Sequence, residues 1–271
     1  MKEVSCVPVK LIVTDLDGCL LRSDSTLPSN FKEAFELMEK QGVVFAAGSG
    51  RAIDGAAVPF GEYAQRMAFI TDNGARVFHR GKILKETLIS YEDYAPVLEE
   101  AERLDDVFPV ACGLNDAWVS SSREVTPKIL QELSKYFPSW RACDLHNIPE
   151  PVIKIALLHF DDIEKNIYPF LRKFDGNRLR VQVTAYVWID VYAAGLSKGV
   201  GVKTLQEALG ITPEETAVFG DYLNDIPMAE HAAFSYAVAN AHPKLKECFT
   251  ETIGTNNEES VTRKIIELLN P

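Results

Sequence analysis

Several features are absent from this sequence, and each absence narrows its function. Only five cysteines occur, Cys6, Cys19, Cys112, Cys143 and Cys248, scattered and never in a C-x-x-C pair. An odd, unpaired set argues against a disulfide framework or a zinc site and points to a reducing compartment. No apolar run approaches the roughly 18 residues that a membrane helix needs. The apolar stretch from Val9 to Val13 is too short for a signal-peptide core and runs directly into Asp15, so a cytoplasmic, non-membrane protein is expected. No long Lys/Arg run offsets the 39 acidic residues against 28 basic ones, and the net charge is −11. Such a surface repels nucleic acid, and any small-anion site must invert the field locally with Lys, backbone N–H groups or a metal ion. No G-x-G-x-x-G follows the first apolar strand, which disfavours a dinucleotide-dependent dehydrogenase. Internal repeats and low-complexity tracts are missing as well.

What is present is ordinary globular composition over 271 residues, 46% hydrophobic and 25% charged, enough for a sizeable core without metal or disulfide staples. Val9–Thr14 reads as a buried strand ending in two aspartates and a glycine. A helix follows Pro28, with Phe31, Ala34, Phe35 and Met38 at i, i+3, i+4, i+7 spacing and Gly42 as its stop. Val43–Ala47 and Ala68–Thr71 are further strands, and Val77-Phe78 and Ile83-Leu84 flank a hairpin turn. Residues 85–191 change character. Trp118, Trp140 and Trp188 all fall there, in a mixed order of helices (Tyr91–Leu104, Pro127–Phe137, near Ile163–Phe174) and strands (Val107–Cys112, near Trp118, Val152–Phe160, two across Leu179–Val191). The tryptophans are expected in the core of that segment, with platforms for a sugar ring as the other reading. After Gly195 the first pattern returns: helix Lys198–Leu209 stopped by Gly210, strands at Ala217–Phe219 and Phe234–Val238, and helix Glu259–Leu269. Alternating strands and helices at both ends predict an α/β fold with a parallel sheet flanked by helices. The middle reads as an inserted α+β domain.

Four polar clusters sit at predicted strand ends or helix starts, where open α/β sheets build their sites. Asp15-Leu16-Asp17-Gly18 sends two carboxylates off one strand on the same side, suited to nucleophile and proton-transfer roles or to a solvated turn. A calcium EF-hand loop is excluded, because Leu20 takes its glycine position and Thr26 its closing glutamate. Gly48-Ser49-Gly50-Arg51 is a phosphate cradle or a plain turn. Lys198 in Ser197-Lys198-Gly199 opposes the helix dipole and either faces an anion or is solvated. Gly220-Asp221-Tyr222-Leu223-Asn224-Asp225 offers oxygen ligands for a hard cation, or a helix cap.

Taken together and in this order, the clusters resemble the four motifs of the haloacid dehalogenase superfamily: Asp15 with Asp17, Ser49, Lys198, and Asp221 with Asp225. The GDxxND form, Met228, Ala239-Asn240-Ala241-His242-Pro243, Asn73-Gly74-Ala75 and Ser197-Lys198-Gly199 resemble its Cof-type branch, which carries a large α/β cap between the second and third motifs. The resemblance implies a Rossmann-like core over residues 1–84 and 192–271 and a cap over 85–191, the cap matching by position and length only. It further implies a Mg²⁺-dependent phosphatase of small phosphomonoesters, with sugar phosphates the family's usual substrates. Asp15 would be the covalent nucleophile and Asp17 the acid/base. Ser49 and Lys198 would bind the phosphoryl oxygens. Asp15, Asp221, Asp225 and the Asp17 carbonyl would supply the metal set, with Asn224 and Asp225 orienting metal-bound water or Lys198. Gly50, Asn73 and Asn240 would line the substrate site, and Arg51 would reach the cap or substrate or form a salt bridge. Other readings are a phosphosugar mutase of the same superfamily and a non-enzymatic sugar-phosphate-binding module. Two residues depart from the pattern. Cys19 stands where Thr or Val is usual, and the Asp72 before Asn73 has no explanation at this level.

Overall fold

The computed structural model describes residues 9–104 and 106–270; Cys6 lies outside them. In chain order the strands are β1 Leu11–Asp15, β2 Val44–Gly48, β3 Ala68–Thr71, β4 Arg76–His79 and β5 Lys82–Glu86, then β6 Phe108–Gly113, β7 Ala117–Ser120, β8 Trp140–Cys143, β9 Val152–Leu158, β10 Leu179–Ala185 and β11 Trp188–Ala193, and finally β12 Thr216–Gly220, β13 Phe234–Ala237 and β14 Glu251–Thr252. They form two sheets. The first has the order β14-β13-β12-β1-β2-β3-β4-β5 and the second β10-β11-β9-β6-β7-β8. The first is parallel from β14 to β3 and ends in the antiparallel hairpin β4–β5. This is the expected α/β core with helices flanking the sheet and a separate α+β cap. The last strand of the core hairpin ends at Glu86 and the last strand of the cap sheet at Ala193.

Local chemistry accounts for most elements. In helix Phe31–Gln41 the residues Phe31, Ala34, Phe35 and Met38 are buried, and Gly42 closes it at φ 72°, a left-handed angle that suits glycine. The central strands β1 and β12 are buried along their whole length, as parallel strands covered on both sides must be. Helix Lys198–Leu209 starts where the Ser197 hydroxyl accepts the Val200 N–H, and Gly210 ends it. The segment expected as one helix over Ile163–Phe174 is instead broken into Ile163–Asn166, Tyr168–Leu171 and a 3₁₀ turn at Arg172–Phe174. Pro169 removes a backbone donor and crowds the preceding turn. Strand β8 was not anticipated. It is a half-exposed edge strand without clean alternation.

In the cap, period-2 alternation divides the sheet faces. Ile155, Leu157, Ile189 and Val191 pack with Val97, Leu98 and Ala101 of helix Tyr91–Arg103. Ala156, Leu158 and Trp188 turn the other way, packing with Leu133 and Phe137. That second face also carries Lys154 and Asp190 and looks onto the core's strand ends. Trp118 and Trp188 are buried, as expected, and Trp140 is half-buried.

Candidate active site at the core–cap junction

Parallel pairing sets β1, β2 and β12 side by side, with Asp15 level with Gly48. The loops leaving their C-terminal ends therefore meet. Gly18 makes the tight turn after Asp17 at φ +81°, and a Cβ there would lie 2.4 Å from Asp221 Oδ2, so this close approach needs glycine. From the opposite side, helix Lys198–Leu209 delivers Lys198, which is 1% exposed. Its Nζ donates to Asp15 Oδ1 at 2.5 Å and to Asp225 Oδ1 at 2.6 Å. Burial opposes its charge, but Asp15 and Asp225 outweigh burial and hold its pKa above the ordinary value.

Asp15, Asp221 and Asp225 each place a carboxylate oxygen within 4.8 Å of the others. Burial, opposed by Lys198 and reinforced by Asp225, raises the Asp15 carboxyl to about 7. Burial and the charges of Asp15 and Asp225 raise Asp221 well above the carboxylate range. A cluster that resists ionisation in the protein alone suits a cation, and an all-oxygen set fits a hard ion such as Mg²⁺. Asp225 differs from the other two, because its Oδ2 also accepts the Asp221 and Tyr222 N–H groups. Both of its oxygens are thus engaged within the protein.

Ser49 is buried beside Asp15, and its hydroxyl oxygen accepts the Arg51 N–H at 3.1 Å. Arg51 turns back over this loop. Its Nε donates to Asp17 Oδ2 at 2.8 Å, its Nη2 to Asp17 Oδ1 and its Nη1 to the Gly55 carbonyl. The guanidinium carbon stands 5.4 Å from the ring centre of Tyr136, a cap residue.

A cavity of about 220 Å³ lies between core and cap. Asp15, Asp17, Ser49, Gly50, Arg51, Lys198, Asp221 and Asn224 form its core side; Tyr136, Phe137, Lys154, Ala156, Thr184, Tyr186, Trp188 and Asp190 form its cap side, with Tyr222 also on the wall. The structure thus brings eight of the expected site residues to one cavity, and Asp225 lies directly behind it. Asn73 and Asn240 are not on its wall. Asn73 is fully buried, donating to Asp190 Oδ2 and accepting from Asn224 Nδ2. Asn240 donates to the Gly18 carbonyl at 2.7 Å and accepts the Asn256 N–H, bracing the loop after Asp17. Cys19 is buried under the same loop, its thiol pushed well up by burial and packed 3.7 Å from the Thr14 hydroxyl.

The cap residues were invisible at the sequence level except for one signal. Lys154 is the lone charge in the apolar strand VIKIALL, and Asp190 the lone charge in WIDVYA. A charge inside a buried strand demands a partner.

Comparison with known proteins matches residues 12–265 to the family of haloacid dehalogenase-like hydrolases. Curated relatives include the 5-amino-6-(5-phospho-D-ribitylamino)uracil phosphatase YbjI of Escherichia coli, 29% identical over 263 residues and covering 96% of both chains. The enzyme of the same description, YcsE, from Bacillus subtilis is 25% identical over 269 residues, covering 96% of this chain and 95% of the relative. Among solved structures, SMU.1108c from Streptococcus mutans superposes with a TM-score of 0.90 at 25% identity, covering 97% and 100% of the two chains. The HAD subclass IIB sugar phosphatase BT4131 shares the fold, with a TM-score of 0.81 at 22% identity over 96% and 98% of the chains. The chain belongs to the haloacid dehalogenase-like hydrolases. Within them it is a phosphatase of the Cof-type branch, the branch with the large α/β cap.

Proposed function

We propose that this protein is a Mg²⁺-dependent phosphatase that works through an aspartyl-phosphate on Asp15. The observation that carries the reading is Lys198 joining Asp15 to Asp225 beneath the cavity, with Asp17, Ser49 and Asp221 around the same point. Asp15, Asp221 and the Asp17 carbonyl are the groups we assign to the ion, with Asp225 anchoring Lys198 and the loop at Asp221. When bound, Mg²⁺ would neutralise charge on the phosphoryl group and let one anion approach another.

The chain's own groups carry the chemistry. An Asp15 carboxylate oxygen bonds to phosphorus as the ester P–O bond breaks, and Asp17 passes its proton to the departing alcohol. Ser49 and the free N–H of Lys198 hold the phosphoryl oxygens, where charge sits in the transition state. Asp17 then takes a proton from water, which attacks phosphorus, breaks the bond to Asp15 and releases phosphate. Arg51 orients Asp17 for both transfers. The cap keeps bulk water out.

The leaving-group side of the cavity is walled by Tyr136, Phe137, Tyr186, Trp188 and Tyr222. Its cations are already paired, Arg51 with Asp17 and Lys154 with Asp190. An uncharged leaving group with a flat ring fits such walls better than a bare sugar. The uracil-bearing substrates in the names of YbjI and YcsE are of that kind. We therefore refine the sugar-phosphate expectation to polyol or sugar phosphates carrying a planar heterocycle. The test is phosphate release, with and without Mg²⁺, from 5-amino-6-(5-phospho-D-ribitylamino)uracil, ribitol 5-phosphate and glucose 6-phosphate. The ring-bearing ester should have the highest kcat/KM. Equal turnover of all three would defeat the substrate reading, and metal-independent turnover the mechanism.

A further inference from the structure

Lys154 and Asp190 lie on adjacent strands of the cap, on one face and diagonal to each other, since Asp190 pairs with Ala156 and Tyr192 with Lys154. Both are almost fully buried, at 3% and 4% exposure. Lys154 Nζ donates to Asp190 Oδ2 at 2.9 Å and crosses to the core to donate to the Gly50 carbonyl at 2.5 Å. Asp190 Oδ2 also accepts Asn73 Nδ2 at 2.7 Å, and Asn73 Oδ1 accepts Asn224 Nδ2 at 3.0 Å. One cap ion pair is therefore tied to two core loops, Ser49–Arg51 and the loop between Asp221 and Asp225. Taking two charges out of water contributes little net stability, so a buried pair at this point calls for another role.

We infer that Lys154 and Asp190 are positioning residues for phosphoryl transfer: through the Gly50 carbonyl they set where Ser49 meets the phosphate, with Asn73 holding Asp190 in place. The pair acts from the cap on the phosphate itself, and not only on the leaving group. This rests on the reading of Ser49 as a phosphate ligand.

The test uses orthovanadate, which presents a phosphate-like oxyanion and no leaving group. Lys154→Met should lower kcat about 10- to 100-fold, the range expected when a reacting group is displaced by about an ångström. It should weaken orthovanadate inhibition about tenfold while leaving the Mg²⁺ half-saturation within about a factor of two. Lys154→Gln can still donate to the Gly50 carbonyl and should recover part of both losses. Should Lys154→Met fail to fold, Asp190→Asn, which keeps the acceptor and loses the charge, should show the same two losses. Unchanged orthovanadate affinity, a loss confined to KM for ring-bearing esters, or a Gln variant no better than Met would overturn the inference. Ser49→Ala separates the two readings. If it too leaves orthovanadate binding unchanged, the phosphate-site reading fails; if it alone weakens binding, only the role of Lys154 fails.

Discussion

Arg51 grips both carboxylate oxygens of Asp17, with Nε 2.8 Å from Oδ2 and Nη2 on Oδ1, although Asp17 is the half-exposed partner and Arg51 the buried one. The planar fork fixes the carboxylate's direction. A lysine cannot reproduce it. Arg51→Lys should lower kcat about tenfold or more with little change in KM, because the proton-transfer group is left misoriented while the groups that hold the phosphate are untouched. Steady-state kinetics on p-nitrophenyl phosphate would check this, and an unaltered kcat would show that Asp17 orients itself.

Asp15→Asn should abolish Mg²⁺-dependent hydrolysis of p-nitrophenyl phosphate. Asp15 ionises reluctantly in the metal-free fold, so the neutral amide should leave the metal-free thermal midpoint unchanged or raised. Asp17→Asn should instead slow breakdown of the covalent intermediate, detectable by intact mass as one added phosphoryl group. Full activity in Asp15→Asn would falsify the covalent mechanism.

Lys198→Met leaves Asp15 and Asp225 without the cation that joins them. Breaking a buried pair typically costs about 3–5 kcal/mol, and activity should vanish with it. Mg²⁺ should recover part of the lost stability in this variant, since it supplies charge at the same point. Denaturant unfolding with Mg²⁺ or EDTA measures both effects, and a variant indifferent to the ion would argue against a metal at Asp15 and Asp221.

Asp72 explains a residue that the sequence left unread. It is wholly buried, neither of its carboxyl oxygens has a hydrogen-bond partner among the described residues, and Lys154 Nζ stands 3.8 Å from Oδ1. Burial raises its carboxyl from 3.8 to about 6, against the pull of Lys154. Between about pH 4 and 6 the folded protein keeps a proton here that the unfolded chain has released, so stability falls as pH rises through this window. The penalty is complete above it, at about 3 kcal/mol. Asp72→Asn should therefore raise the thermal midpoint by about 5–10 °C at pH 8 and have little effect at pH 4. A gain independent of pH would place the cause elsewhere.

Tyr186 is 62% exposed and Trp188 buried, both on the cavity's cap wall. Tyr186→Ala should reduce kcat/KM for ring-bearing esters about tenfold, as the loss of a stacking contact would, and leave p-nitrophenyl phosphate within about a factor of three. Equal losses on all substrates would mean that the ring does not lie there.

Much of the fold was legible. Helices Phe31–Gln41 and Lys198–Leu209 announce themselves through spacing, caps and a closing glycine. Strand β1 is legible as an apolar run that stops at Asp15. The broken segment after Ile163 was misread because apolar spacing persisted across Pro169. Asn73 and Asn240 read from the sequence as residues lining the substrate site; in the fold Asn73 bonds Asp190 and Asn224, and Asn240 bonds the Gly18 carbonyl and the Asn256 N–H.

By itself, the sequence determined whatever depends on a few neighbouring residues: two aspartates on one side of a strand end, a serine in a glycine-rich turn, a lysine at a helix start. Only the tertiary structure decided what those groups face. Lys154 and Gly50 are 104 positions apart, and Asn73 and Asp190 are 117 apart. No local periodicity encodes contacts across such distances. They arise when two separately packed sheets meet and each buried charge must find its partner across the gap.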